Sequence, residues 1–177
     1  MNKYFLKFIM GLFTFFLIGC TSVDVKDYAS EQPQLKLEEY LNGTLDIYGF
    51  FQDRSGKIKK RFHCVMLADW KDGIGTLDET FEYTDGSKSR RVWTIKKNKN
   101  NQYIGTASDV IGEAVGSTNG NAFHWLYTLD LEIEGSHYHV KLDDWMYLMN
   151  EKIMLNKSKM SKYGFDLGEV TLTFIKR

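Results

Sequence analysis

The chain has 177 residues, with 23 basic and 23 acidic side chains and 15% aromatics. Without a basic excess, bulk charge gives no reason to expect nucleic acid or an anionic surface as partner. Two cysteines, Cys20 and Cys64, exclude a disulfide-built scaffold.

At the N-terminus, Lys3 and Lys7 precede an apolar run from Phe8 to Phe16. That run has the length of a signal-peptide core and is about half of what a membrane span needs. Leu17-Ile18-Gly19-Cys20 follows and is similar to the lipobox of bacterial lipoprotein signals. The resemblance implies cleavage before Cys20, a diacylglyceryl thioether on its sulfur and acylation of the new amino group, palmitate being one such chain. Two or three acyl chains meet the requirement for stable anchoring, since each buried methylene contributes about 0.8 kcal/mol. The remaining roughly 160 residues suffice for one domain with a sizeable core, and losing two lysines leaves them mildly acidic. With Cys20 lipidated, Cys64 has no partner; its mixed, strand-like surroundings make it a small buried hydrophobe.

Thr21 to Gln34 is polar, aperiodic and holds the sole proline, Pro33, so it reads as a tether between lipid and domain. Leu35, Leu37, Tyr40 and Leu41 suggest a short helix stopped by Asn42-Gly43. The expected domains are thus a signal peptide over 1–19, a lipidated tether over 20–34 and one β-domain over 35–177.

Beyond Gly43 the period changes from helical to alternating. Asp53-Arg54-Ser55-Gly56, Lys71-Asp72-Gly73, Asp85-Gly86, Asn98 to Asn101, Asn119-Gly120-Asn121 and Glu134-Gly135 are turn signals. Strands are expected near 44–52, 58–70, 74–84, 88–97, 102–108, 112–118, 122–134, 137–149, 152–159 and 168–176. About eight to ten antiparallel strands with short connections predict an all-β, up-and-down barrel with a short N-terminal helix.

Residues i and i+2 share a face of a strand. Phe123, Trp125, Tyr127, Leu129, Leu131 and Ile133 therefore line one face, and Tyr138, Val140, Leu142, Asp144, Met146 and Leu148 another. Leu77, Glu79, Phe81 and Tyr83 share a third, and Arg91, Trp93 and Ile95 a fourth. Three apolar faces thus carry one charge each: Glu79, Arg91 and Asp144. A lone buried ion is costly, so these groups must pair or reach water. Either the barrel holds a mostly apolar cavity with a few convergent polar groups, the make-up of a small-molecule site, or its core is solid with a charge pair near the mouth.

Two resemblances bear on this choice. Leu37-Glu38-Glu39-Tyr40-Leu41-Asn42-Gly43 is similar to the start of lipocalins, where a short helix leads into a Gly-started strand, although Leu45 stands where lipocalins have Trp. More broadly, Phe51-Gln52-Asp53-Arg54-Ser55-Gly56, Gly75-Thr76-Leu77-Asp78-Glu79, Arg90-Arg91-Val92-Trp93, Asp143-Asp144-Trp145-Met146-Tyr147 and Met160-Ser161-Lys162 resemble an uncharacterised family of proteobacterial lipoproteins, catalogued only as domain of unknown function 3833. That resemblance implies a Gram-negative envelope lipoprotein with a lipocalin-like barrel and no established activity. Thr21, rather than Asp, after Cys20 points to the outer membrane, facing the periplasm.

No catalytic motif emerges. His137 and His139 share a face but lack a third ligand at a recognisable spacing. Asp143 and Asp144 point to opposite faces, which argues against a shared acid–base pair. Ser161 beside Lys162 falls in an expected loop, and Gly112 to Gly116 reads as a bent strand. No metal, cofactor or enzymatic activity is therefore expected. Arg91 could bind an acyl carboxylate or phosphate head group bidentately, or close the barrel through a salt bridge to Asp144 or Glu79. The candidate ligand-binding residues are Arg91, Trp93, Trp125, Tyr127, Asp144 and Glu79. Two functions fit: a binding or carrier module for a fatty acyl or other apolar ligand, or an accessory envelope protein acting through a protein partner on the outward Trp145, Tyr147 and Met149.

Overall fold

The computed structural model describes residues 22–177. The expected signal peptide, the lipobox-like run and Cys20 lie outside the described residues. Ten antiparallel strands, each hydrogen-bonded to its neighbours in sequence, close into one barrel when β1 (Gly43–Asp53) pairs with β10 (Phe165–Lys176). Between them run β2 (Ile58–Lys71), β3 (Ile74–Tyr83), β4 (Lys88–Lys97), β5 (Gln102–Thr106), β6 (Ala114–Asn119), β7 (Ala122–Ile133), β8 (Ser136–Leu148) and β9 (Ile153–Lys162). Closure leaves no sheet edge to attract a foreign strand. The all-β up-and-down expectation holds, with ten strands where a lipocalin has eight.

The turn residues explain the connections. Asp72-Gly73 and Glu134-Gly135 take positive φ at both positions, the mirror-image turn that matches strand twist. Asp53 and Asp85 accept hydrogen bonds from Ser55 and Ser87 within their own hairpins, fixing the longer turns. One hairpin differs from expectation: β9 and β10 extend to a two-residue turn at Tyr163-Gly164, φ 52° and 82°, so Ser161 and Lys162 are strand residues rather than loop. The expected strand at 112–118 also shifts, because Gly112 belongs to a loop over 107–113.

The two ends of the barrel differ. Helix α1 (Leu37–Tyr40) plugs the end from which β1 starts. Leu37, Leu45, Ile47, Met66, Ile95, Phe123 and Met154 are all within 2% of full burial there, each contributing about 1.5–3 kcal/mol by leaving water. Polar ties hold the plug: the Tyr40 hydroxyl donates to the Lys152 and Phe174 carbonyls at 3.0 and 3.2 Å, and the Trp70 indole N–H donates to the Leu41 carbonyl at 2.6 Å. Glu38 accepts from the Tyr103 hydroxyl at 2.8 Å and pairs with Lys97.

The segment before α1 does not stand off as a spacer. A 3-10 turn, Val25–Tyr28, is N-capped by Asp24 and buries Val25. The Tyr28 ring lies 5.9 and 5.4 Å from those of Trp145 and Tyr147, and Leu35 N–H donates to the Gly120 carbonyl. A Cβ on Gly120, whose φ is +55°, would strike the Tyr28 carbonyl. Residues 24–35 thus strap the outside of the closed end, and Trp145 and Tyr147, expected to face a partner, meet Tyr28 of their own chain.

Candidate functional site

Above the plug the barrel is hollow. A cavity of about 840 Å³ opens toward the opposite end, between the hairpins that join β1 to β2, β3 to β4, β7 to β8 and β9 to β10. Its volume lies within the roughly 300–1,000 Å³ of small-molecule sites. Phe62, Phe81, Leu129, Leu142 and Leu172 give it largely apolar walls. On one side the wall is low, since β5 and β6 span only five and six residues. The loop over 107–113 continues the wall there: Ile111 N–H donates to the Thr128 carbonyl and Asp130 N–H to that of Asp109, both at 2.9 Å.

Two indoles form part of the cavity floor. Trp93 and Trp125 lie 4.8 Å apart, with the Tyr127 ring 5.5 Å from Trp93 and nearly perpendicular to it. They rest on the short strands, where only glycine leaves room: a Cβ on Gly105 would sit 2.8 Å from the Trp125 ring, and one on Gly116 would strike Trp125 itself. These glycines make room for the rings by close approach of the backbone.

Around the indoles runs a belt of polar side chains at mid-height. On one wall Glu79 of β3 stands in register with Arg91 of β4. Arg91 donates from Nε and Nη2 to Asp109 at 2.6–3.0 Å, while its Nη1 is 4.0 Å from Glu79 Oε2. On the opposite wall Asp144 of β8 accepts from Trp125 Nε1 at 3.1 Å, from the Tyr127 hydroxyl at 3.0 Å and from the Asn156 amide. Ser158 of β9 is its register partner.

Burial sets the electrostatics of this belt. Loss of water pushes the Glu79 carboxyl up to about 7; Arg91 opposes that rise, and the charges of Asp109 and Asp144 add to it. Burial also raises Asp144, against the pull of its three donors. It works against the charge on Arg91 too, but Glu79 and Asp109 outweigh it and hold the guanidinium protonated. The Tyr127 hydroxyl is raised by burial and by Asp144. Cys64 is fully buried on β2 and its thiol is pushed up by burial, so it is a packing residue.

All six residues singled out from the alternation, Glu79, Arg91, Trp93, Trp125, Tyr127 and Asp144, line the one cavity. Of the two expected partners of Arg91, Glu79 lies within ion-pair reach at 4.0 Å, but Asp109 holds the guanidinium more closely, and Asp144 is held by neutral donors instead. Asp109, Asn156 and Ser158 escaped the sequence reading. Met154, Asn156, Ser158 and Met160 do alternate on β9, so two of the three carried a signal; Asp109, in a loop, carried none.

Outside the cavity, His137 Nδ1 lies 3.0 Å from Asp130 Oδ2 and His139 Nε2 3.8 Å from Asp130 Oδ1, both imidazoles being exposed. Among the described residues no three His, Cys, Asp or Glu side chains gather closely enough to hold a metal ion. Compared with known proteins, residues 14–176 match the model of a family described as protein of unknown function (DUF3833). No curated protein matches the chain.

Proposed function

The chain belongs to the DUF3833 family, and because that family carries no described activity we propose, from its barrel alone, a lipocalin-like binding or carrier module for an apolar small molecule. One observation carries the reading: a cavity of about 840 Å³, apolar in its walls, open at one end and floored by two indoles and a polar belt. A solid barrel would do for a structural role. Keeping such a space empty costs the packing contacts its lining could have made, and a ligand restores them.

The anchor belongs to the same proposal. A lipid on Cys20 would tie the chain to the outer membrane, facing the periplasm. Because the strap from Asp24 to Leu35 is fixed to the closed end, only Thr21 to Val23 remain as spacer, about 10 Å when extended. The closed end then sits by the membrane and the mouth faces away, so the barrel would take its ligand from the aqueous side. The partner-based alternative loses part of its motive, since Trp145 and Tyr147 are met by Tyr28, although Met149 stays exposed.

Native mass spectrometry of the full-length chain, extracted gently from membranes, is expected to show a bound lipid-sized adduct. Repeated spectra without adduct, together with failure of any fluorescent apolar probe to enter the barrel, would overturn the reading.

A further inference from the structure

The polar belt restricts what the cavity can hold, because its donors and acceptors are unequally used. Most donors are engaged: Arg91 Nε and Nη2 bond Asp109, Trp125 and Tyr127 bond Asp144, and the Asn156 amide bonds Asp144 and the Trp145 carbonyl, while Arg91 Nη1 only approaches Glu79 Oε2 at 4.0 Å. Three buried atoms of cavity-lining residues have no hydrogen-bond partner: Glu79 Oε2, Asn156 Oδ1 and Ser158 Oγ. Asn156 Oδ1 can only accept a hydrogen bond, Glu79 Oε2 accepts whenever its carboxyl is ionised, and Ser158 Oγ can accept one. Glu79 is 8% exposed, Asn156 and Ser158 2% each, so little water reaches them and each unmet bond costs about 1–3 kcal/mol. Charge points the same way, since the belt holds three carboxyl groups, Glu79, Asp109 and Asp144, and one guanidinium, Arg91.

The geometry points to a ligand with an apolar body and a hydrogen-bond-donating polar end, a hydroxyl or a protonated amine, seated with that end on the belt between Glu79 and the Asn156–Ser158 wall. This inference rests on the binding reading above and narrows it. Glu79 and Ser158 stand on strand pairs that face each other across the ring of ten, β3 with β4 and β8 with β9. A single small head group is therefore approached from both walls, while the apolar body extends past Phe62, Phe81 and Leu142 toward the mouth. A carboxylate or phosphate end fits this floor poorly. It would compete with Asp109 and Glu79 for Arg91 and would add a negative charge beside two carboxyl groups. A fatty acid bound tail first, its carboxylate near Lys60 and Lys162 at the mouth, would press a methyl group onto Glu79 and leave the three atoms unmet.

The test compares three probes of one chain length, hexadecanol, hexadecylamine and palmitate, displacing a fluorescent apolar dye from the delipidated full-length chain held in amphipol. Quenching of Trp93 and Trp125 gives an independent readout. The alcohol, the amine or both are expected to displace the dye at concentrations about tenfold below palmitate, the worth of one hydrogen bond to a charged group. A tighter amine assigns the carboxylates as the recognising groups; a tighter alcohol assigns the neutral acceptors. Glu79→Gln should reduce that advantage at least severalfold, read as the ratio of alcohol or amine to palmitate in the same variant, and Ser158→Ala, on the opposite wall, supplies the second variant. Palmitate binding as tightly as the better of the other two would overturn the inference while leaving the binding reading intact. Failure of all three probes and of the dye would overturn the binding reading as well.

Discussion

The same strands behave differently in the two halves of the barrel. Toward the closed end the inward positions of β1, β2, β4 and β7 hold Leu45, Met66, Ile95 and Phe123, which pack solidly against α1. Toward the mouth the alternation continues, but Phe62 and Phe81 are only partly buried, and Tyr163 and Phe165 on the last hairpin are 87% and 72% exposed. Polar ties follow the same division, since Tyr40, Trp70 and Tyr103 each bond the plug or the chain around it. One half supplies the fold; the other is thereby free to stay hollow.

The largest expected effect follows from that division. Leu37 is fully buried under the barrel floor, and Leu37→Ala should cost about 3 kcal/mol of unfolding free energy, within the range for a buried Leu truncated in a packed core. Denaturant unfolding monitored by tryptophan fluorescence measures it. A loss under about 1 kcal/mol would mean that the plug is dispensable and that stability is shared evenly along the barrel.

The polar belt at the boundary should show itself through pH. The Glu79 carboxyl rises to about 7 in the folded chain from an ordinary value near 4.5, so the native state holds more protons than the unfolded one between those pH values. Stability contributed by the protonated form is full below about pH 4.5 and is lost as pH rises to about 7. Each unit of displacement corresponds to about 1.4 kcal/mol, which gives a decline of up to about 3 kcal/mol. The groups facing Glu79 are Arg91, Asp109, Asp144 and Cys64. Asp144, also raised by burial, adds a decline of the same sign. Asp46, held low by hydrogen bonds from Arg177 and His63, titrates below this window. Thermal melts between pH 5 and 8 should therefore show a falling midpoint that Glu79→Gln flattens in part. A midpoint that rises with pH in the wild type would show Glu79 to be fully ion-paired by Arg91.

How far this division was legible in the sequence depended on the kind of signal. Asp-Gly and Glu-Gly turns mark hairpins because their residues tolerate positive φ, so most strand ends were recoverable. Tyr163-Gly164 was missed because tyrosine is not a turn former, although Gly164 at φ 82° makes the turn possible. Glu79, Arg91 and Asp144 stood out because a charge interrupts an apolar alternation. Asn156 and Ser158 were hidden by the lysines between and beside them, Lys157 and Lys159, which make the stretch look solvated. The bond from Arg91 to Asp109 depends on a loop folding back over the wall, and no local pattern encodes that. The strap was misread for a similar reason: its polar composition is real, but Val25 and Tyr28 bind a surface that exists only once β6, β7 and β8 have paired.

The mouth should give the smallest response, and that is what makes it informative. Tyr163 and Phe165 flank a turn and are almost fully solvated, and the one aromatic contact at Tyr163 is Lys162 over its ring at 5.4 Å. Replacing both with serine removes apolar surface that the fold does not bury, so the unfolding free energy should change by no more than about 0.5 kcal/mol. The turn keeps its glycine, and serine tolerates the positive φ at position 163 about as well as tyrosine does. Calorimetry of the double variant beside Leu37→Ala puts the two ends on one scale. A loss above about 1 kcal/mol would show that the hairpin packs onto the mouth and shares in holding the barrel together. An unchanged midpoint would leave two large, exposed apolar side chains on the mouth-side hairpin with no folding role.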